Sequence, residues 1–267
     1  MAATVMAYHY LTAGQADQEE TKQQLQKSDG FSFVDNPARN QQFQKIAKVY
    51  DEQIGRDETF MGINWLRRML LYFHARGTVL EVGAGTGRNI PYYPFRVRRV
   101  VLSDSSDQML WQARQKLNGM SPKDRSRFAC LEADASMMDF PDSCFDTVVD
   151  TFGLCSYDDP VQVLREMGRV CKADGKILLL EHGRSKSWDG LSHYLDKHAE
   201  RHAKNWGCVW NRDLDAILEE AGLKLVTKDT WHFGTTYYVV CRPGDQKPAT
   251  EQIIATSHGK GVLSDAS

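Results

Sequence analysis

The chain has 267 residues, of which 42% are hydrophobic and 25% charged, a composition typical of a globular protein with one large domain and short appendages. A formal net charge of −2 gives no strong nucleic-acid signal, and no stretch reaches the roughly 18 apolar residues that a transmembrane segment needs. The six cysteines include no CxxC pair and no Cys/His spacing typical of zinc sites, so we expect free thiols and no bound metal.

Both ends of the chain differ in composition from its middle. Residues 1–37 predict a flexible leader and residues 243–267 a flexible tail, because both are polar and show little apolar periodicity. Residues 38–242 between them predict a single globular domain. The leader lacks the basic start of a secretory signal, and its acidic residues Asp17 and Glu20 argue against an ordinary mitochondrial presequence.

Within the middle region, helical and strand patterns alternate. In chain order we predict helices at 40–55 and 60–75, a strand at 78–85, a helix near 87–93, a strand at 99–104, a helix at 106–118, strands at 128–134 and 145–153, a helix at 160–172, a strand at 176–183, a helix at 211–221, and strands at 224–233 and 235–242.

This alternation predicts an α/β fold with a Rossmann-like, doubly wound sheet of seven strands covered by helices on both faces. The last two strands are too closely connected for a parallel crossover. They therefore form a hairpin, and the last strand is antiparallel to its neighbour.

A glycine-rich turn follows the first strand and is the strongest indication of a ligand-binding site in the sequence. Glycines without Cβ atoms let backbone N–H groups approach a ligand closely. A dinucleotide fingerprint, GxGxxG, is excluded because Arg88 stands at its third glycine. The pattern present is ExGxGxG, formed by Glu81, Gly83, Ala84, Gly85 and Gly87.

An acidic residue at the tip of the second strand, Asp104, follows Gly83 by about 20 residues, the spacing at which a carboxylate binds ribose hydroxyls. The alternative is a helix cap, because Asp104 precedes the predicted helix 106–118. Ser105 stands beside it. Thr151 and Phe152 end the fourth strand, where the pocket is expected, since ligands bind beyond the carboxyl ends of the strands.

Two candidates for catalytic roles lie near the same edge. His182 ends the fifth strand and is a candidate general base near neutral pH, although it also fits a plain loop hydrogen bond. Tyr157 is expected near the reacting group. We interpret Cys155 as a packed thiol and not as a nucleophile. Segment 183–210 is too long for an ordinary connection and predicts a solvated helix leading into an aromatic lid, with Tyr194, Trp206 and Trp210.

ExGxGxG at a first strand resembles the first motif of class I methyltransferases. Over about residues 41–242 the chain is similar to the UbiE-related branch of that family, and most similar to fungal mitochondrial methyltransferase-like proteins. The phrases that carry this resemblance are YDEQIG, VLEVGAGTGRNIPYY, DTVVDTFGLCSYDDP, ILLLEHGRS, WGCVWNRDL and HFGTTYYVV.

The resemblance implies S-adenosyl-L-methionine as the cofactor, with the glycine turn against its methionine end. It also implies that Met109 packs against the adenine and that Asp134, with Ala135 beside it, accepts from the adenine amino group. The implied reaction methylates a small, lipophilic acceptor. An assembly or scaffold factor of a mitochondrial complex, an RNA or protein methyltransferase, and peripheral association with a membrane or complex stay open as alternatives. The implied location is intracellular: mitochondrial by resemblance, and cytoplasmic if the N-terminus is not a targeting segment.

Overall fold

The computed structural model describes Ala47, Tyr50–Asp51, Ile54–Gly55 and residues 58–244, without the side chains of residues 205 and 206. The predicted leader and nearly all of the predicted tail lie outside the described residues. The helix predicted at 40–55 is described at five positions only, and all five are helical.

The remaining elements follow the predicted order closely. In chain order they are α1 (Ile63–His74), β1 (Gly77–Val82), a 3-10 turn (Ile90–Tyr92), β2 (Val97–Asp104), α2 (Asp107–Asn118), α3 (Pro122–Arg125), β3 (Phe128–Glu132), β4 (Phe145–Thr151), α4 (Pro160–Val170), β5 (Cys171–His182), α5 (Asp189–Trp206), α6 (Leu214–Ala221), β6 (Lys224–Trp231) and β7 (Thr236–Arg242).

Side-chain caps fix where several helices begin. Ser106 accepts a hydrogen bond from the Met109 N–H at the start of α2, and Asp213 accepts one from Ala216 at the start of α6. Asp159 caps α4 in the same way, with Pro160 at the first helical position. These caps satisfy N–H groups that have no partner inside the helix.

The seven strands form one sheet in the order β3-β2-β1-β4-β5-β7-β6. Strands β1 to β5 pair in parallel, and β7 pairs antiparallel with both β5 and β6. The predicted doubly wound, Rossmann-like sheet with an antiparallel last strand is therefore confirmed. From β1 the chain adds strands first toward one edge of the sheet (β2, β3) and then toward the other (β4, β5). This switch point between β1 and β4 leaves a crevice at their carboxyl ends.

Apolar side chains leave the sheet on both faces. Leu178 and Leu180 of β5 pack in one cluster with α1 and α2, whereas Ile177 and Leu179 pack in another with α4 and α6. A strand covered on both faces has a continuous run of apolar residues. This is why the sequence KILLLEH at 176–182 predicts a buried strand.

Two segments depart from the predicted pattern. Near 87–93 the chain forms only the 3-10 turn, because Gly87 has φ +74° and Pro91 lies at the start of the turn. Segment 183–210 contains the predicted helix, α5, but one side of it is packed and not solvated. Its Leu191, Leu195 and Ala199 form a separate buried cluster with Cys155, Cys208 and Trp210. Within the described part of the chain, no helix combines the length and apolarity that crossing a bilayer requires.

Candidate functional site

A cavity of about 410 Å³ opens at the carboxyl ends of β1, β2 and β4. Tyr157, Tyr50 and Phe152 also line it, whereas Gly87 and His182 do not. The residues predicted from the sequence to bind a cofactor that line this cavity are Glu81, Gly83, Ala84, Gly85, Asp104, Ser105, Met109, Asp134, Ala135 and Thr151.

The three glycines of the turn all have positive φ, between 55° and 74°, but they serve different purposes. A Cβ at Gly83 would lie 2.4 Å from Tyr157 Oη, and one at Gly87 would lie 2.5 Å from Ile90 Cδ1. At Gly85 nothing lies within 4 Å of that point. Gly87 thus serves packing, whereas Gly85 presents bare backbone to the cavity.

Asp104 connects the glycine turn to the tip of β2. Its Oδ2 accepts from the Gly85 N–H and its Oδ1 from the Ser106 N–H, both at 2.8 Å. Burial raises the pKa of Asp104 against the lowering effect of these two N–H donors. Asp134 instead accepts from the backbone N–H and hydroxyl of Ser136, at 2.8 and 2.7 Å. Both carboxylates are therefore held in fixed positions at the rim of the cavity.

A buried ion-pair network ties the turn to the segment before α1. Glu58 accepts from Arg67 at 2.6 Å and from Arg88 Nε at 2.7 Å. Arg88 also pairs with Asp51, to which Thr86 donates a hydrogen bond of 2.6 Å. Burial works to raise the pKa of Glu58, but the two guanidinium groups outweigh it and hold that pKa below its usual value.

Glu81 lies beneath the turn in a neighbouring polar network. It accepts from the Tyr93 hydroxyl at 2.6 Å and from Asn89 Nδ2 at 3.0 Å. Burial raises the pKa of Glu81 to about 7, and these hydrogen bonds counter it only in part. Thr151 accepts from Arg67 at 2.6 Å and from Asn89 at 3.0 Å, which joins the two networks at the cavity floor.

Phe152 forms the wall between the cavity and the α5 segment. Its φ of +60° is unusual for a bulky residue and marks backbone strain at the end of β4. The Arg67 guanidinium lies 5.1 Å from its ring centre, and the His182 ring centre lies 5.4 Å away. Phe152 thus lines the cavity, whereas His182, which it contacts, does not.

Tyr157 points its hydroxyl into the base of the turn. Burial first, and then the neighbouring Asp150 carboxyl, raise the pKa of Tyr157 well above its usual value. Burial also raises the pKa of Asp150. A phenol that stays protonated is a hydrogen-bond donor and not a base at neutral pH.

A third group of polar side chains, Cys155, His182 and Cys208, meets behind Phe152. All three are buried, and one ligand atom from each lies within 4.8 Å of the others. The His182 Nε2 lies 2.8 Å from the Cys208 sulfur, and the Cys155 thiol donates to the Phe152 carbonyl oxygen at 3.4 Å. Burial lowers the pKa of His182. Sequence spacing gave no sign of this group, because its members lie on three separate segments.

Sequence reasoning also missed Arg67. It is buried inside α1, and its partner Thr151 lies 84 residues away. Phe152 lines the cavity beside Thr151, at the end of the fourth strand where the sequence places both.

The cavity suits an adenosyl ligand. Its volume is within the range of small-molecule sites, roughly 300–1,000 Å³. The turn leaves open backbone at Gly85, and Asp104 and Asp134 offer acceptors along the same edge.

Comparison with known proteins agrees with this reading. The profile of a family described as a methyltransferase domain matches residues 80–179. The chain is 36% identical over 224 residues to "Methyltransferase OMS1, mitochondrial" of Saccharomyces cerevisiae, an alignment that covers 78% of this chain and 47% of the yeast protein. It is 31% identical over 189 residues to "Ubiquinone/menaquinone biosynthesis C-methyltransferase UbiE" of Enterobacter sp. strain 638, covering 66% of this chain and 70% of that protein.

A crystal structure of the YcgJ protein from Bacillus subtilis shares the fold, with a TM-score of 0.52 and 21% identity over 63% of this chain and 71% of that one. The chain spans about half the length of the yeast relative and over two thirds of the Enterobacter protein. From the sheet order, the turn and these similarities, the chain belongs to the class I S-adenosylmethionine-dependent methyltransferases, in the branch that contains UbiE.

Proposed function

We propose that the chain transfers a methyl group from S-adenosylmethionine to a small, lipophilic acceptor. The observation that carries this proposal is the cavity, because every predicted cofactor residue except Gly87 lines it. The turn at Gly85 would hold the methionine end, Asp104 the ribose, and Met109 with Asp134 the adenine. When bound, this cofactor supplies an electrophilic methyl group on a sulfonium.

The remaining lining residues position the acceptor and exclude water. Phe152 and Tyr50 offer aromatic surface beside Thr151, and Tyr157 offers a neutral hydroxyl. Methyl transfer needs mainly alignment and a dry site, and a base only where the acceptor must lose a proton. Because Tyr157 lines the cavity and His182 does not, we propose Tyr157 as a positioning residue and assign His182 no direct proton transfer.

A group of exposed aromatic side chains supports a lipophilic acceptor. The β6–β7 turn lies at the same edge as the end of β5, because Thr236 pairs with His182. Trp231 contacts Trp65 with ring centres 5.9 Å apart, and both are about half exposed. Phe60 and Phe233 are exposed in the same region. Such surfaces bind apolar ligands or the face of a membrane.

The names of the relatives agree with this assignment. UbiE is named as a C-methyltransferase of ubiquinone and menaquinone biosynthesis. The yeast relative is named as mitochondrial, so we propose a mitochondrial location for this protein with peripheral association at a membrane.

The test uses S-adenosylmethionine carrying a deuterated methyl group. The protein is incubated with a cell extract, and mass spectrometry then follows the label in organic-phase molecules, RNA and protein. We expect label in an organic-phase small molecule. Label in RNA or protein would assign a different acceptor class, and cofactor binding without any label would favour a scaffold role.

Asp104→Ala is the matched variant for this experiment. Loss of charged hydrogen bonds to the ribose should weaken cofactor binding by roughly 2–4 kcal/mol, about 30- to 1000-fold, and remove the label. Isothermal titration measures the affinity, and an unchanged value would contradict the ribose assignment. NADH should not bind in the same titration.

A further inference from the structure

We propose that Cys155, His182 and Cys208 bind a zinc ion that fastens α5 to the carboxyl edge of the sheet. The three ligands come from separate segments. Cys155 lies in the loop after β4, His182 ends β5, and Cys208 follows α5. The parallel strands β4 and β5 are neighbours, so their carboxyl ends bring the first two together. The proposal does not depend on the acceptor or on turnover.

The spacing of the ligand atoms suits a tetrahedral ion. With Zn–S near 2.3 Å and Zn–N near 2.0 Å, two ligand atoms on one zinc lie roughly 3.5 Å apart. In the protein the Nε2 of His182 and the Cys208 sulfur are 2.8 Å apart, and all three atoms lie within 4.8 Å of one another. Side-chain shifts of less than about 1 Å would bring the set to the zinc geometry.

The chemistry of the ligands selects the metal. Two sulfurs and one imidazole nitrogen are soft and borderline donors, which favour zinc over magnesium or calcium. Cys₂His with one further ligand is a known zinc set. Water or a ligand from solution would complete the coordination.

The surroundings of the three side chains are those of a protected site. Cys155, His182 and Cys208 are only 2%, 5% and 7% exposed. Apolar residues of α5 enclose the two sulfurs, and the Phe152 ring covers His182. Ser156 Oγ lies 3.5 Å from the Cys155 sulfur, where its hydroxyl would donate to a metal-bound thiolate.

A zinc ion here would join three chain segments at one point. It would hold α5 beside Phe152, whose ring contacts His182. The three ligands do not line the cavity, so the zinc would lie outside it. The alternative is that the three side chains are packed and hydrogen-bonded and bind no metal. Because both arrangements bury the same atoms, metal content decides between them.

The experiment measures zinc per chain in the full-length protein purified under argon with a phosphine reductant. We expect about one equivalent of zinc per chain. After removal with a chelator, added Co²⁺ should give thiolate-to-cobalt charge-transfer absorption. Cys208→Ala should lower zinc at least about tenfold, since it removes one of three protein ligands. Cys241→Ala, a buried cysteine of β7 outside the group, should leave it unchanged.

X-ray absorption on the wild-type protein keeps the test informative if Cys208→Ala does not fold. It should show two sulfur ligands and at least one imidazole nitrogen. Zinc below about a tenth of an equivalent after incubation with zinc salts would overturn the proposal. So would full zinc content in Cys208→Ala.

Discussion

The carboxyl edge of the sheet is held together by different forces in its two halves. In the charged half, Glu58, Arg67, Glu81, Arg88 and Asp104 form ion pairs and hydrogen bonds around the glycine turn. In the apolar half, Leu191, Leu195, Ala199 and Trp210 of the α5 segment pack around Cys155 and Cys208. A substitution in the charged half acts through an unpaired charge or backbone strain, and one in the apolar half acts through lost volume.

The largest expected effect lies in the apolar half. Trp210 is fully buried, donates from Nε1 to the Leu195 carbonyl at 2.9 Å, and stacks on His202 at 3.9 Å. Trp210→Ala should destabilise the protein by about 4 kcal/mol, because it leaves a large cavity. Urea denaturation measures this, with the half-exposed Trp111→Ala as a control.

Cofactor affinity decides whether the two halves are independent. In Trp210→Ala it should stay within about threefold of the wild type, because distant sites act additively. A loss as large as that of Asp104→Ala would make the two halves one unit. The sequence-based prediction that Trp210 is part of a lid over the acceptor remains a prediction, and its buried position favours an anchoring role.

Arg67→Met tests the charged half. It removes a cation from Glu58 in a buried position and should cost about 3 kcal/mol in the free energy of unfolding. Arg76→Met is the matched control, because Arg76 pairs with Asp174 at the surface and should lose less than about 1 kcal/mol. Equal losses in the two variants would show that burial of the pair contributes nothing.

The pH dependence of stability should separate the halves further. The pKa of Glu81 is about 7 in the folded protein and 4.5 without burial. Because the folded protein holds this proton more tightly than the unfolded chain, the contribution of Glu81 to the free energy of unfolding is fully present below pH 4.5. It is lost as the pH rises through 7, a decrease of about 3 kcal/mol. Glu81→Gln should remove that loss when unfolding is measured from pH 4.5 to 7.5. Parallel curves for the wild type and the variant would contradict the assignment.

The smallest effects concern the glycines of the turn. Gly83→Ala should cost about 2 kcal/mol and Gly85→Ala about 1 kcal/mol, since both are strained at positive φ but only Gly83 also meets the Tyr157 hydroxyl. Cofactor titration should reverse the order, because the methyl group at position 85 enters the cavity. A larger affinity loss at position 83 would show that strain, and not the cavity surface, governs binding.

Much of the charged half was predictable because its signals are local. Gly83 and Gly85 follow a strand directly, and Asp104 ends the next one, so their places depend only on short segments. The alternation of strand and helix patterns is also read from short segments, and it predicted the parallel sheet. The helix predicted at 87–93 is only a 3-10 turn, because Gly87 has a positive φ and Pro91 lies at the start of the turn.

The apolar half was not predictable from spacing. Cys155, His182 and Cys208 are separated by more than 20 residues at each step, and only the sheet and α5 bring them together. Arg67 is similar, since an arginine on a helix normally reads as solvent-exposed. Its burial follows from Glu58 and Thr151, which no local pattern connects to it.

The network around Glu58 has a consequence for where a fragment of this domain can begin. The family profile begins at residue 80, but a fragment starting there would lack α1 and both carboxylates, Asp51 and Glu58, that the structure pairs with Arg88. A fragment starting at Gly62 would keep Arg67 but lose Glu58. Among the described residues Glu58 is the one carboxylate that pairs with Arg67, whose side chain is only 4% exposed. We therefore expect an autonomous domain to begin before Asp51, because the stretch ahead of α1 supplies carboxylates to the arginines beside the glycine turn.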